Sequence, residues 1–408
     1  MLWSADIAPP SLWLDRPEPP LEVETAVVGG GLVGLSTAWW LARVGRTPVV
    51  FEAGALAGRA SGRNSGALLT GTTVPVIRVE EARPRAAALA LWHASRDNRE
   101  LLRRELLDSG RIDCGFLAEG SWLAAVDRRQ EEELELSAEL LRAKGFELEW
   151  RDAAAVRAAS GSPVLGGAIH QPRDGGLDPV RLCRGIAADG GFEVRTGFRV
   201  RAVEPAGDRV RLVSEAGDVL AERTVFALNA YAPRLLPPLA GVVRPVRGQM
   251  LATAPGERFL AGVWYLNDGF EYARQLADGT FLLGGKRTVA TDVEVGYLET
   301  PTATVQGALD RYLDETFPRL AGRPVRHRWA GTMAFTEHRL PAVGAVPELP
   351  GAVYAAGFSG HGMALGFAAG RHLARLAWGE AEGVDFPAGR PRPAAAEETQ
   401  GVAAPASK

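Results

Sequence analysis

The hydrophobic positions of this chain follow two periods, which separate strands from helices. Residues 23–28 (VETAVV) and 48–52 (PVVFE) are short apolar runs that predict buried strands. Between them, residues 32–44 (LVGLSTAWWLARV) repeat their apolar positions with helical spacing, and Gly45 marks the helix end. These segments predict a strand–helix–strand crossover of about 30 residues.

Further patterns continue along the chain. Helices are predicted at 78–109 (with Pro84 as a kink or boundary), 127–144, 177–189, 302–316 and 361–377, and strands at 116–126, 192–204, 208–214, 219–228, 324–333 and 352–357. Residues 243–300 are rich in strand patterns, with turns at Asn267-Asp268-Gly269 and Asp278-Gly279. Helix-flanked strands at both ends thus enclose a β-rich middle.

This order predicts an α/β protein with a discontinuous Rossmann-type domain and an inserted α+β substrate domain on an antiparallel sheet. We assign 21–82, 150–242 and 322–385 to the nucleotide-binding domain, and 83–149 and 243–321 to the substrate domain. Residues 1–20 predict a surface arm, and the low-complexity residues 386–408 predict a flexible tail.

Composition narrows the class of protein. At 408 residues the chain is long enough for two or three structural units, and its net charge of -3 gives no nucleic-acid footprint. Cys114 and Cys183 are the only cysteines, which excludes a disulfide framework and a cysteine-based zinc cluster. No apolar run approaches the roughly 18 residues of a membrane helix, and the N-terminus lacks a secretory pattern. We therefore expect a cytoplasmic protein with no integral membrane segment and no metal.

A glycine motif follows the first predicted strand. Residues 29–34 (GGGLVG) fit the pattern G-x-G-x-x-G. Gly29 permits the tight turn, Gly31 lets the backbone approach a pyrophosphate, and Gly34 lets the helix pack closely on the strand. Glu52, at the end of the next strand, would accept hydrogen bonds from the ribose hydroxyls. The pattern fits NAD and FAD equally, and a glycine-rich turn without a ligand is the alternative.

The loop at 58–66 (GRASGRNSG) decides between the two cofactors. Together with 28–52 it resembles the D-amino-acid-oxidase-like superfamily of FAD-dependent oxidoreductases, most closely the branch of γ-glutamylputrescine oxidoreductase. Residues 222–233 (ERTVFALNAYAP), 329–344 (WAGTMAFTEHRLPAVG) and 355–366 (AAGFSGHGMALG) resemble further segments of that superfamily. Its usual loop reads G-A-S-G-R-N-G-G, so Arg59 and Ser65 are departures.

The resemblance implies that FAD is the cofactor, with the loop running under the flavin and the C-terminal glycines preceding a helix that faces the ring. Donors there would stabilise the negative charge of the reduced ring. Because no cysteine follows Cys183 and no histidine lies near the loop, we expect non-covalent FAD. The motif and the resemblance together assign cofactor contacts to Gly29, Gly31, Leu32, Val33, Gly34, Glu52, Ala53, Arg59, Ala60, Ser61, Arg63, Asn64, Ser65, Gly66, Val200, Asn229, Ala230, Gly331, Gly357, Ser359, Gly360, His361, Gly362 and Met363.

The resemblance also implies the reaction: hydride transfer from a C–H bond beside nitrogen to flavin N5, followed by hydrolysis of the imine. Such a reaction needs no strong side-chain base. Candidates for the substrate side are His361, Tyr265, Tyr272, Arg274, Lys286 and Arg287. The alternatives are structural: the tyrosines as half-buried sheet aromatics, the arginine at 287 in a surface ion pair, and the histidine bridging backbone groups.

Two departures from the resemblance concern the substrate and the electron acceptor. Glycine-oxidase-like relatives place a carboxylate-binding arginine where this chain has Met333, which favours an amine over an α-amino acid unless Arg274 or Arg287 substitutes. An oxygen-activating lysine of the sarcosine-oxidase branch is offset here to Lys286, so the acceptor is O2 or a quinone. The alternatives are a D-amino-acid or glycine oxidase, a quinone-linked dehydrogenase, and a flavin-binding protein without turnover.

Overall fold

The computed structural model describes residues 20–82, 85–380 and 386–388. Most of the predicted arm and tail, and Pro84, lie outside these residues. The helices are α1 (Leu32–Arg43), α2 (Val76–Ala82), α3 (Arg85–Leu102), α4 (Arg128–Ala143), α5 (Ala153–Ser160), α6 (Pro179–Gly190), α7 (Ala303–Thr316) and α8 (Gly362–Ala377). None of the described helices is both long and apolar enough to cross a membrane.

The strands are β1 (Leu21–Val28), β2 (Pro48–Glu52), β3 (Ala67–Leu68), β4 (Ser121–Ala124), β5 (Glu149–Arg151), β6 (Ala168–Gln171), β7 (Gly175–Gly176), β8 (Glu193–Thr196), β9 (Val200–Ala206), β10 (Arg209–Ser214), β11 (Val219–Phe226), β12 (Arg244–Thr253), β13 (Val263–Leu266), β14 (Glu271–Gln275), β15 (Phe281–Gly285), β16 (Val325–Phe335), β17 (Ala342–Ala345) and β18 (Ala352–Ala356).

The first sheet carries the nucleotide-binding unit. Its strands run β17-β18-β11-β1-β2-β8, and β9 and β10 extend it beside β11. The pairs of β1 with β2, β1 with β11, β11 with β18, and β2 with β8 are parallel. Apolar side chains of α1, α6 and α8 pack into one core with these strands, including Leu35, Trp39 and Phe367. The carboxyl ends of the parallel strands therefore meet at one edge, where α/β sheets bind their ligands.

The second sheet forms the floor of the substrate side. Its strands run β16-β12-β15-β14-β13-β4-β6-β5, all antiparallel except the pair of β13 and β4. Side chains alternate between the two faces of a strand. Trp264 and Phe281 pack against Leu309 of α7 on one face, whereas Tyr265 and Tyr272 point to the other face, where a cavity lies.

Sheet membership departs from the predicted domain division. β6 and β16 belong to the second sheet, although the sequence placed 150–242 and 322–385 in the nucleotide-binding domain. β16 joins it because its residues from Val325 to Phe335 pair antiparallel with β12. The predicted strand at 192–204 is two strands, β8 and β9, because the chain turns at Gly197 with φ 73°. The predicted helical stretch at 78–109 contains α2, α3 and a π-helical turn at Arg103–Leu107.

Candidate active site

The turn after β1 opens the site. Gly29 has φ 117°, in the region that favours glycine, and its N–H donates to the Phe51 carbonyl at 2.9 Å. A Cβ at Gly34 would overlap the Gly29 carbonyl oxygen, so only glycine lets α1 approach this closely. α1 begins after Gly31 without a side-chain cap. Apart from the Leu32 N–H, which donates to the Ser61 hydroxyl, its first turn is therefore open to an anion.

Glu52 lies beside this turn. Its carboxylate accepts hydrogen bonds from the N–H groups of Gly30 at 2.7 Å and Gly54 at 2.8 Å. Each carboxylate oxygen can accept more than one hydrogen bond, so both retain lone pairs for ribose hydroxyls. The backbone thus fixes the carboxylate at the end of β2, where the sequence predicted a ribose contact.

The loop at 58–66 folds around the Asn64 side chain. The Asn64 amide nitrogen donates to the carbonyls of Ala60 at 2.9 Å and Ser61 at 2.8 Å, and its oxygen accepts from the Gly66 N–H at 2.7 Å. The Ser61 hydroxyl accepts from the Leu32 N–H at 2.9 Å, at the start of α1. The loop is therefore joined to the helix end that faces the phosphates.

Arg274 fastens the same loop to the second sheet. Its Nη1 donates to the carbonyls of Ser65 at 3.0 Å, Gly66 at 3.3 Å and Leu177 at 2.8 Å. Burial lowers the pKa of Arg274 to about 10, which still leaves it charged at neutral pH. Arg274 lines neither of the two cavities described below. This predicted substrate residue thus holds the loop in place.

A second fastening runs through Arg63. Its guanidinium donates to the carbonyls of Gly58 at 3.0 Å and Ala330 at 2.9 Å, and its own carbonyl accepts from the Trp329 indole at 3.0 Å. Both Trp329 and Ala330 belong to β16. β16 belongs to the second sheet, although the sequence predicted it in the nucleotide-binding domain. It nevertheless helps to position the cofactor loop.

The segment 286–302 joins the two halves of the site. Arg287, at its beginning, lines the substrate-side cavity. Near its end, Glu299 pairs with Arg59 and, at 3.0 Å, with Arg63, and it accepts from the Tyr231 hydroxyl at 2.9 Å. One stretch of backbone thus contacts both the cofactor loop and the substrate side.

The first cavity has a volume of about 400 Å³. It extends from the glycine turn to the start of α8. Of the predicted cofactor residues, it is lined by Gly29, Gly31, Leu32, Val33, Glu52, Ala53, Arg59, Ala60, Ser61, Asn64, Val200, Asn229, Ala230, Ser359, Gly360, Gly362 and Met363. The sequence did not predict the arginines at its rim, Arg199, Arg201 and Arg234.

The second cavity, of about 420 Å³, lies between the loop at 58–66 and the face of the second sheet that carries the tyrosines. Of the predicted residues, it is lined by Asn64, Ser65, Tyr265, Tyr272, Arg287, Ser359, Gly360, His361 and Met363. Asn64, Met333, Ser359, Gly360 and Met363 line both cavities. These five residues form a wall that the two cavities share. A molecule in the first cavity can therefore contact a molecule in the second at this shared wall.

The remaining predicted residues line neither cavity. They are Gly34, Arg63, Gly66, Arg274, Lys286, Gly331 and Gly357. Lys286 turns away: its ammonium lies 3.6 Å from the Glu271 carboxylate and 3.8 Å from the centre of the Tyr312 ring. Gly331 is close to the Arg63 side chain, which a Cβ would contact at 3.1 Å. These seven residues therefore contribute to the shape of the site and do not line its cavities.

A strained turn places the start of α8 at the shared wall. Gly357, Ser359 and Gly360 have φ values of 74°, 50° and 87°. The Gly357 N–H donates to the Asn229 side-chain oxygen at 3.1 Å. α8 then starts at Gly362 without a side-chain cap. Its positive end therefore faces the place where negative charge would develop on a reduced ring.

His361 is held with one ring nitrogen free. Its Nδ1 lies 3.0 Å from the Ser359 carbonyl oxygen, which can only accept, so Nδ1 carries the hydrogen. Burial lowers the pKa of His361, and the ring is therefore neutral at pH 7. Nε2 is buried, has no hydrogen-bond partner among the described residues, and belongs to a residue of the second cavity. This lone pair is available to a ligand N–H.

The two tyrosines form an apolar wall with polar tips. Their ring centres are 6.1 Å apart. Burial raises the pKa of Tyr272 to about 12 and moves that of Tyr265 in the same direction, so both phenols stay neutral. Arg78, Phe335 and Arg339 are among the lining side chains of this cavity that the sequence did not predict. Phe335 and Arg339 lie within the stretch 329–344 that resembles the superfamily, but that resemblance assigned no role to either, and no motif includes Arg78.

The features of the first cavity fit FAD: an uncapped helix start for the pyrophosphate, Glu52 for a ribose, and a loop with a second helix start at the far end for the ring. A dinucleotide would be held by the residues of the glycine turn and by Ser61 and Asn64, with its ring end at the shared wall.

Comparison with known proteins agrees with this geometry. The family model "FAD dependent oxidoreductase" matches residues 24–376. Gamma-glutamylputrescine oxidoreductase of Escherichia coli strain K12 is 30% identical over 391 residues, covering 90% of this chain and 88% of that protein. Glycine oxidase from Bacillus cereus has a similar fold, with a TM-score of 0.75 and 20% identity over 88% of this chain and 96% of that one. L-proline dehydrogenase from P. horikoshii gives a TM-score of 0.73 and 21% identity over 88% and 93%. The resemblance is confirmed: the chain belongs to the FAD-dependent oxidoreductase family, and FAD is its cofactor.

Proposed function

We propose that this protein oxidises a carbon–nitrogen bond of an amine or amino acid held in the second cavity. The observation that carries the proposal is the shared wall, where the ring end of the cofactor cavity meets a substrate-sized cavity that contains the neutral polar groups of His361, Tyr265 and Tyr272. The named activities of the relatives, on γ-glutamylputrescine, glycine and L-proline, agree with it.

FAD supplies a two-electron acceptor at flavin N5. The C–H bond beside nitrogen breaks and its electron pair leaves as hydride, while the nitrogen lone pair forms the C=N bond. The product is an iminium ion, to which water adds; with release of a proton this yields a carbonyl compound and ammonia or, from a secondary amine, the smaller amine. The protein has to orient the C–H bond and keep the nitrogen unprotonated.

His361 orients the nitrogen in this proposal. Its free Nε2 accepts a hydrogen bond from the substrate N–H, which a neutral amine supplies without carrying a charge into the cavity. Tyr265 and Tyr272 close the opposite wall and exclude water. Their raised pKa values keep them from acting as bases near neutral pH.

The second cavity has one carboxylate among its described lining residues, Asp268, and this carboxylate is paired with Arg78. No unpaired carboxylate is therefore available to stabilise a bound ammonium. We expect the rate of reduction to rise with pH as the amine of the substrate loses its proton.

The same proposal includes the electron acceptor that reoxidises the reduced FAD. No lysine is among the described residues that line either cavity, since Lys286 is turned toward Glu271 and Tyr312. We propose that a quinone reoxidises the reduced protein faster than O2 does. Stopped-flow mixing of the reduced protein with each acceptor compares the two rates, and a faster reaction with O2 would refute this part.

The experiment is an anaerobic titration of the FAD-loaded protein with primary amines, N-methyl amines and both enantiomers of common amino acids. Bleaching of the flavin band near ~450 nm supports the proposal and identifies the substrate class. Reduction by none of these nitrogen compounds would refute it and favour a flavin-binding protein without turnover. Retention of the yellow colour by acid-precipitated protein would contradict non-covalent FAD.

A pair of variants tests the histidine. His361→Asn should slow flavin reduction at least tenfold, which corresponds to about 1.4 kcal/mol for one orienting hydrogen bond. His327→Asn, at an exposed position on β16, should leave the rate unchanged. Equal rates for the two variants would remove His361 from the proposed site.

A further inference from the structure

Two arginines of the second cavity flank one phenylalanine. The guanidinium of Arg287 lies 4.7 Å from the centre of the Phe335 ring, and that of Arg339 lies 5.0 Å from it. Arg287 also lies 5.1 Å from the Phe270 ring. All four residues line the second cavity. The aromatic rings therefore hold two planar guanidinium groups in place by stacking, which leaves their N–H edges free.

Neither guanidinium has an acidic partner in the described part of the chain. The arginine Arg78, in the same cavity, differs, because it pairs with both Asp268 and Glu133. Burial lowers the pKa of Arg287, and the positive charges of Arg339 and Arg244 lower it further. The positive charges of Arg287 and Arg339 repel each other, and a bound anion would relieve this repulsion.

The position of the pair relative to the cofactor is also defined. Met333 and Gly360 line both cavities, whereas Arg287 and Arg339 line the second one alone. Arg339 is exposed, so the cavity reaches solvent at the arginine end. The thioether of Met333 lies at the shared wall, and it has no N–H or O–H group that could bind a carboxylate. The two arginines thus line the second cavity away from the shared wall itself, although, besides burial, the charge of Arg339 is near enough to His361 to lower its pKa.

We propose that Arg287 and Arg339 bind a carboxylate of the substrate, and that the preferred substrates are amines whose carboxylate is separated by several bonds from the oxidised C–N bond. The inference rests on the proposed function and names the substrate class of the same site. A carboxylate matches the N–H edge of a guanidinium through two parallel hydrogen bonds. The Phe335 and Phe270 rings then line the path of an aliphatic chain between carboxylate and amine.

The test compares three compounds with the same five-carbon chain: 5-aminopentanoate, pentylamine and norvaline, the last as both enantiomers. They differ in whether a carboxylate is present and where it stands. Anaerobic reduction of the flavin gives a dissociation constant and a limiting rate for each. We expect 5-aminopentanoate or a close homologue to bind at least tenfold more tightly than pentylamine, and norvaline to gain no such advantage.

Variants assign the effect to the two arginines. Arg287→Met and Arg339→Met should each weaken the binding of 5-aminopentanoate more than that of pentylamine, and so remove most of the preference. Arg326→Met, at an exposed position on β16, should preserve the preference. Both arginine variants are also compared by far-UV circular dichroism and FAD content, which show whether they fold.

A binding measurement separates this inference from the proposed function. Pentanoate and glutarate have no amine, so they can shift the flavin spectrum without reducing it. A shift that saturates in wild type and is lost in Arg287→Met supports the carboxylate site even if no amine is oxidised. Equal binding of pentylamine and 5-aminopentanoate, or tighter binding of norvaline, would overturn the inference and leave C–N oxidation intact.

Discussion

Glu294→Gln tests how firmly the segment 286–302 is held behind the substrate cavity. The Glu294 carboxylate accepts from Arg247 Nε at 2.7 Å and Nη2 at 2.9 Å, and from the Gln249 amide at 2.8 Å. Arg247 and Glu294 are only 2% and 1% exposed. Glutamine keeps the shape of the side chain and removes its charge, so a buried guanidinium loses its counterion.

The expected cost follows from the contacts that remain. Removing one partner of a buried ion pair costs about 3–5 kcal/mol. Arg247 keeps hydrogen bonds to the carbonyls of Val293 at 3.2 Å and Leu298 at 3.4 Å, so we expect the lower end, ~3 kcal/mol. With an unfolding entropy of about 2.1 cal/mol/K per residue, this amounts to a fall in Tm of roughly 3–4 °C for a chain of this length.

The assay is thermal unfolding of FAD-loaded protein at a fixed FAD concentration, because bound cofactor shifts Tm. Arg328→Gln, which breaks an exposed pair with Asp310, is the control and should cost less than about 1 kcal/mol. The double variant Arg247→Met with Glu294→Leu removes both charges and should be closer to wild type than Glu294→Gln alone. A Tm change for Glu294→Gln no larger than the control's would refute the reasoning.

The pH dependence gives a second check on the same group. Burial alone would raise the pKa of Glu294, but the hydrogen bonds from Arg247 and Gln249 and the charge of Arg247 outweigh it and lower the pKa. A carboxylate with a lowered folded-state pKa contributes stability above its unfolded value of about 4.3, and that stability is lost as pH falls through the folded value. Glu294→Gln should lack this part of the acid destabilisation.

Three further outcomes are expected. Gly34→Ala should abolish retention of FAD on gel filtration, since its Cβ would overlap a backbone carbonyl of the glycine turn, while Gly307→Ala on α7 should retain the cofactor. Arg274→Met should release FAD more readily and destabilise the fold, because it leaves backbone carbonyls of the cofactor loop without their donor; wild-type FAD affinity would contradict that role. Cys114 and Cys183, whose pKa values burial raises to about 12, should react with a thiol reagent at pH 8 only after denaturation.

Local signals in the sequence were sufficient for the cofactor side of the site. The crossover from β1 to β2, the glycine turn and Glu52 all lie within a short stretch, so their spacing already determines their geometry. The loop at 58–66 was identified through its resemblance to the superfamily, and it lies between the two cavities. These features depend on neighbours in the chain, which a sequence displays directly.

The substrate side depends on contacts between distant residues. Arg274 looked like a substrate ligand on a pocket strand, yet it reaches the loop near Ser65, far away in sequence. Lys286 follows its strand by one residue and takes φ 55°, which turns its side chain toward Glu271. Arg339 follows β16 in a turn within the stretch 329–344, whose resemblance to the superfamily did not show that this side chain lines the cavity. Neither register between strands nor the direction of a turn residue can be read from periodicity.

The segment 286–302 contacts both binding sites, so we expect it to couple the binding of FAD and substrate. Arg287 belongs to the substrate cavity, and Glu299 pairs with Arg59, which lines the cofactor cavity. Between them Val293 and Leu298 are 62% and 63% exposed, so side-chain packing in the core contributes little at these two positions. FAD that orders Arg59 would order the substrate ligand as well, and by thermodynamic reciprocity a bound substrate would tighten the hold on FAD. The affinity of this protein for FAD should therefore be higher when substrate is bound.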